Sequence, residues 1–462
     1  MSTSGKRDPV AEYHDLLTGS GAHDGLAADS QARLDAQMHE RGILFGDRPL
    51  CTVLRPRFMR AAQYSALQER AGLVLRAFGS AYQAAVSQES VLDQFRLTDW
   101  ERELVRDDPG FRDPSPVSRL DAFFVPDSAN PHAGLRFTEY NAETPAGSAY
   151  NDVLTELFHA LPVMREFLRS WELRPLPARH HVLNALLDAW HQWSGRRDLP
   201  RICILDWAEV PTFSEFVLFR DYFIRQGVSC VIADPRNVEY TGGRLLADGQ
   251  PVDLIYKRVL ISELIERGGL DQPVVRAVRE GNVCMVNPFR CKILHKKASL
   301  AVLSDERNQH LFDAASREAV AMHIPWTRVV EERRTERDGQ ALDLVPWIAD
   351  HRDELVLKPN DEYGGKGIIL GWEATQDEWE STLRTALSEP YIVQQRVALP
   401  AEAFPSWADG EVHLVDHMLD TAPFVAHGDF VTGCLTRLST AALLNVTAGG
   451  GSTVPTFVAE PR

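Results

Sequence analysis

Leu355-Val356-Leu357-Lys358-Pro359, followed one residue later by Asp361-Glu362-Tyr363-Gly364-Gly365-Lys366-Gly367, reads as an apolar strand that delivers one lysine and then opens into a glycine-rich loop. Residues without a Cβ let the main chain approach a polyphosphate and turn successive N–H groups toward its oxygens, while a lysine on an adjoining strand supplies a fixed positive charge. Taken alone, the same letters also describe a hairpin turn beside a surface lysine.

Far upstream, Arg119-Leu120-Asp121-Ala122-Phe123-Phe124-Val125 and Leu135-Arg136-Phe137-Thr138-Glu139-Tyr140-Asn141 alternate as two strands, joined by a turn that holds Asn130-Pro131 and Gly134. Residues two apart in a strand share a face, which sides Arg119 with Asp121 and Glu139 with Asn141. Paired strands would gather two carboxylates, an amide oxygen and a guanidinium in one patch. That is a hard-oxygen site suited to magnesium carrying substrate phosphates. A solvated hairpin face with an ordinary Arg–Asp pair is the other reading of this spacing.

Arg119-x-Asp121, Glu139-Tyr140-Asn141-Ala142-Glu143-Thr144-Pro145, Lys297-Ala298, Lys358-Pro359 with its glycine loop, and Gln395 occur in an order that resembles the glutathionylspermidine synthase family. The resemblance runs from about residue 115 to the C-terminus. It implies an ATP-grasp fold that is circularly permuted, because the acidic residues precede the lysine strands. By this resemblance Asp121, Glu139 and Asn141 would bind two Mg2+ ions, with Mn2+ as the alternative, and Arg119 would contact the reacting phosphate. Lys297 and Lys358 would hold the phosphates of ATP, with Gly364, Gly365, Lys366 and Gly367 as the cradle; Lys296 leaves the first lysine open by one position. Gln395, in Tyr391-Ile392-Val393-Gln394-Gln395-Arg396-Val397, matches the hinge that hydrogen-bonds adenine. Arg437, in an alternating segment, matches an arginine placed near the transferred phosphoryl group. Asn445-Val446-Thr447-Ala448-Gly449-Gly450-Gly451-Ser452 reads as a lid loop or as a tail.

The chemistry implied is carboxylate activation: a substrate carboxylate attacks the γ-phosphorus of ATP, and an amine then displaces phosphate from the acyl phosphate to give an amide or peptide bond. Neither step needs a protein nucleophile, and the sequence holds no convincing Ser-His-Asp, Cys-His or HExxH set. An amino acid or short peptide joined to an amino acid or small amine fits this machinery. An ATP-dependent phosphotransferase and a catalytically silent ATP-binding protein are the alternatives. The amidase domain of the family's bifunctional members has no counterpart here, so hydrolysis of the product is not expected.

At 462 residues, two or three packed units are expected. The expected organisation is α/β (mixed α+β): an N-terminal helical region (1–114), the metal-binding hairpin and helices (115–199), a pre-ATP-grasp-like α/β substrate layer (200–286) and the nucleotide clamp (287–462). In the N-terminal region, residues 58–80 have helical apolar spacing, and Thr98-Asp99-Trp100-Glu101 looks like a capping box. Residues 151–169 read as one helix started by Asn151-Asp152. Within 200–286, short apolar runs flank a helix-like segment near 214–226, which predicts a parallel layer. Its strand Asp253-Leu254-Ile255-Tyr256-Lys257-Arg258 ends in basic residues, and Arg258 is a candidate for a substrate carboxylate or for a structural salt bridge. A net charge of −16 argues against a nucleic-acid or anionic-membrane binder. Small-molecule carboxylate and amine substrates are the expected partners. No run of eighteen apolar residues and no apolar leader is seen, so a cytoplasmic location is expected. The six cysteines show no metal or CxxC spacing and are expected to be reduced and mostly buried.

Overall fold

A computed structural model describes residues 7–19, 25–125, 130, 132–362, 365–440 and 451–462. Three sheets position everything that follows. The largest has nine strands, and at one end of it Val117–Phe124 pairs antiparallel with the edge strand Leu135–Asn141 on one side and with Ala422–Ala426 on the other. Phe430–Ser439 continues the sheet, and the final strand, Ser452–Pro461, lies between Phe430–Ser439, Arg57–Met59 and Trp171–Pro175.

The long helix Ala61–Ser87 explains why the hairpin presents one face only. Its Leu67, Ala71, Val74, Phe78 and Ala81 recur at helical spacing and join one core with Leu120, Ala122, Phe124, Phe137 and Tyr140 of the hairpin. Phe78 and Tyr140 pack at 4.5 Å between ring centroids, with their planes tilted by 32°. With that face sealed, the polar residues between are turned to the opposite side. Strict alternation would put Phe137 with Glu139, but the register slips at Thr138: Asp121 faces Glu139 while Ala122 faces Phe137. This bulge lets Phe137 enter the core without turning Glu139 away from the polar face.

The second sheet is parallel, in the order Cys284–Val286, Leu254–Lys257, Ile202–Leu205, Cys230–Ala233, with helix Phe213–Arg225 crossing between the last two. Continuous Val/Ile/Leu runs suit strands covered on both faces. A hairpin follows, Val238–Thr241 against Arg244–Ala247. The third sheet is antiparallel, in the order Thr327–Val329, Tyr391–Gln395, Leu355–Pro359, Ile369–Leu370, so the glycine loop closes a hairpin within it. Helix Gln376–Ala386, with a capping box from Thr375 and Glu378, packs Trp379 and Leu383 against that sheet.

The single helix expected over 151–169 is two helices, Ser148–His159 and Pro162–Phe167, because Pro162 can begin a helix but disfavours helical geometry at Leu161 before it. Asn151 and Asp152 do not start it. Asp152 is buried inside it and accepts the N–H groups of Ala178 (2.8 Å) and Arg179 (3.0 Å), so it caps the next helix, Arg179–Ser194. All six cysteines are free and buried. No helix among the described residues is long and apolar enough to cross a membrane.

Candidate active site

The hairpin register sets Arg119 opposite Asn141 and Asp121 opposite Glu139. Arg119 grips Asp121 in a two-pronged pair, Nε to Oδ1 at 2.7 Å and Nη2 to Oδ2 at 2.9 Å, and donates Nη1 to the carbonyl of Ala146 at 2.7 Å. From the neighbouring region of the sheet, Arg437 donates Nη2 to Asp121 Oδ2 at 2.5 Å and Nε to Asp420 Oδ2 at 2.6 Å. Burial alone would raise the Asp121 pKa; the two arginines override it and hold the carboxyl at about 2. Asp420, whose Oδ1 also accepts the Arg437 N–H at 2.7 Å, has its pKa raised by burial.

Across the cleft, Lys297 Nζ lies 3.2 Å from Glu139 Oε1 and donates to the carbonyl of Glu362 at 2.6 Å. Its neighbour Lys296 turns away, to Glu101 and Asp361, so of the two candidate lysines only Lys297 lines the cleft. Lys358 Nζ reaches the carbonyl of Thr138 at 3.4 Å and Gln394 Oε1 at 2.7 Å. Burial pulls the Lys358 pKa down to about 8, against the pull of Glu139 and with the repulsion of Lys297. Burial also works to raise the Glu139 pKa, but Lys297 and then Lys358 leave it lowered.

These groups line one cavity of about 450 Å³. Val356, Ile368, Leu370, Trp372, Val397 and Leu399 give one part of it an apolar wall, with Gln394 and Gln395 beside them. Gly365 lines it too, while Gly364 lies outside the described residues, as does most of the segment 445–452. Gly367 has φ +71°, and a Cβ there would come within 2.7 Å of Pro359, so the loop's return past the lysine strand requires glycine. The sequence expectation for Lys366 does not match its place: its side chain is 77% exposed, pairs with Glu362 at 3.4 Å and does not line the cavity. It sits on the solvent side of the turn. Arg258 lines the cavity but is also tied to Glu215 Oε2 at 3.3 Å, to Tyr256 Oη at 3.1 Å and to the carbonyl of Pro145.

Sequence reading missed Gln394, Asp420, Asp206 and Glu263, all of which line the same cavity. Gln394 had a signal, since it stands beside Gln395 on a strand whose partner carries Lys358. Asp420 sits in a turn with no motif around it.

The donor set fits a divalent cation with a preference for oxygen. Asp121 and Glu139 face each other across the ladder, and the Asn141 amide makes no hydrogen bond among the described residues, its Nδ2 being buried without a partner. In this structure the charge of the two carboxylates is offset by Arg119, Arg437 and Lys297.

Residues 129–439 match the family described as circularly permuted ATP-grasp type 2. A protein of Frankia alni carrying the provisional name glutamate–cysteine ligase 2-3 is 24% identical over 451 residues, covering 90% of this chain and 49% of its own length. One from Frankia casuarinae, provisionally glutamate–cysteine ligase 2-2, is 23% identical over 464 residues, covering 93% and 50%. The chain thus spans about half the length of these relatives. Among solved structures, the apo form of a glutathione synthetase-like effector from Globodera pallida superposes over 98% of both chains with a TM-score of 0.60 at 10% identity, a likeness of fold.

Proposed function

The chain belongs to the circularly permuted ATP-grasp type 2 family, and from that premise we propose that it is an ATP-dependent carboxylate–amine ligase working through an acyl phosphate. The observation that carries this reading is the meeting of the acidic hairpin with two lysines across one cleft: Lys358 of the lysine strand lies 3.4 Å from the Thr138 carbonyl, and Lys297, at a helix start, lies 3.2 Å from Glu139. The provisional names of the two Frankia relatives support an amino acid or short peptide as the carboxylate substrate.

In this reading Lys297 and Lys358 hold the ATP phosphates, Gly365 and Gly367 let the loop close over them, and the apolar wall with Gln395 receives adenine. Asp121, Glu139 and Asn141 would hold magnesium, which when bound supplies positive charge to the phosphate oxygens. A substrate carboxylate oxygen attacks the γ-phosphorus and ADP leaves. Arg119 and Arg437, fixed by Ala146 and Asp420, are placed to offset charge on the transferring group. The amine nitrogen then attacks the acyl carbon, the carbon–oxygen bond to phosphate breaks, and an amide and free phosphate result. Exclusion of water matters because an acyl phosphate hydrolyses readily.

The test is a pairwise matrix of amino acids, short peptides and amines assayed for ADP and phosphate, with hydroxylamine replacing the amine in a second series. Phosphate release that needs both substrates, and a hydroxamate in the second series, is the expected result. ADP formation with a stable phosphorylated product and no need for an amine would replace the ligase with a phosphotransferase.

A further inference from the structure

The parallel sheet ends in the same cleft, and the end it offers is electrically one-sided. Strand Ile202–Leu205 runs out into Asp206 and strand Leu254–Lys257 into Arg258, while Glu263 follows in helix Ile261–Gly268; all three line the cavity. Crevices at the carboxyl ends of parallel strands are where open α/β sheets place their ligands.

The positive charges here are already matched. Arg258 is paired with Glu215, and Lys257 Nζ lies 3.4 Å from Glu143. The two carboxylates are not: among the described residues neither Asp206 nor Glu263 has an ion pair. Asp206 is only 8% exposed, and among the described residues its carboxylate accepts a single hydrogen bond, from the Trp207 N–H to Oδ1 at 2.8 Å. Glu263 Oε2 accepts the Trp207 indole Nε1–H at 2.9 Å. One tryptophan therefore aims both acids, and among the described residues the second oxygen of each has no hydrogen-bond donor. Burial raises the Asp206 pKa to about 6, with the Trp207 N–H and Arg258 opposing and Glu263 adding to the rise. An uncompensated buried carboxylate is costly, and such a group in a cleft marks a place where a ligand supplies the counter-charge.

The location suits the second half-reaction. Arg258 donates to the carbonyl of Pro145 and Arg119 to that of Ala146, so the adjoining carbonyls of one cavity-lining segment link the acid pair's region to the phosphate-facing hairpin. We propose that Asp206 and Glu263 form the recognition site for the acceptor, which docks there through a primary alkylammonium group. This assignment rests on the ligase reading and narrows its acceptor to a cationic amine.

The experiment is calorimetry on the full chain without nucleotide, using glycinamide and 1,3-diaminopropane as probes, with propionamide and 1-propanol as uncharged counterparts. Saturable binding of at least one cationic probe, none of the uncharged pair, and a tenfold or greater loss in Asp206→Asn and in Glu263→Gln is the expected result. Affinity for a non-hydrolysable ATP analogue, measured on each variant, reports that the protein is folded. Asp206→Glu, which keeps the charge, should recover part of the binding. Should neither cationic probe bind, should the uncharged counterparts bind as well, or should folded Glu263→Gln bind the amines like wild type, the assignment is overturned. Hydroxamate formation by the wild-type enzyme separates the two levels. Its absence removes the ligase reading, whereas its presence together with unchanged amine binding in the variants removes only this acceptor site.

Discussion

Two clusters of lysines and carboxylates lie side by side, one sealed and one open. In the sealed cluster Lys292 lies 3.2 Å from Glu143 and 2.7 Å from Asp361, Lys296 lies 2.6 Å from Glu101 and 2.9 Å from Asp361, and Lys257 completes it at Glu143. In the open cluster Lys297 and Lys358 share Glu139 and face the cavity. Adjacent lysines 296 and 297 are divided between the two. The difference teaches that residue type does not assign a role here: charges matched by protein partners fix the root of the glycine loop, while charges that face a cavity are available to a substrate.

The hardest break of the comparison is Glu139→Gln in the open cluster. Turnover should fall by roughly four orders of magnitude, about 5 kcal/mol of barrier, while the melting temperature stays near wild type. Near-normal turnover in steady-state assays would take Glu139 out of the site. The matching change in the sealed cluster, Glu143→Gln, leaves Lys257 and Lys292 buried without their shared partner. Denaturant unfolding should show a loss of about 3–5 kcal/mol, and an unchanged midpoint would mean the cluster is not structural.

Acid titration sharpens the same contrast without a mutation. Burial would raise the Glu143 pKa, but Lys292, Lys257 and His295 hold it at about 2, below its ordinary value of 4.5. A depressed carboxylate pKa stabilises the fold fully above pH 4.5, and that contribution is lost as pH falls toward about 2. Unfolding free energy followed across this window should drop more steeply in the wild type than in Glu143→Gln. A smaller effect is expected for Lys358→Ala: calorimetry with an ATP analogue should show affinity reduced about 10- to 100-fold, the worth of one charge-assisted contact. The smallest belongs to Lys366→Ala, whose exposed side chain stands outside the cavity. Its analogue affinity should change by less than about 0.5 kcal/mol, and a loss as large as that of Lys358→Ala would show that the loop carries Lys366 inward on closure.

Much of this was legible in the letters, because period-2 spacing and glycine loops are local. Arg119, Asp121, Glu139 and Asn141 share the face that alternation demands, and Lys358 sits on its strand with the loop following. What alternation could not supply is the bulge at Thr138, which depends on Phe137 finding the long helix's core. Asp152 looked like the start of its own helix and caps another, a contact across 26 residues that propensity does not encode. Lys296 and Lys297 could be separated only when the partners of each were in place. Asp420 and Asp206 were invisible for the same reason: each follows a strand end, and what makes it notable is the cavity assembled around it by distant segments.

Arg437 stands in a strand whose partner on one side comes from the final ten-residue strand, with Arg437 directly opposite Thr453. A chain emerging from the ribosome can therefore have synthesised nearly all of its cleft residues while this guanidinium still lacks that neighbouring strand. Assembly of the phosphate-facing side must therefore await Ser452–Pro461, so deleting that strand should abolish the enzyme although it carries none of the proposed catalytic residues.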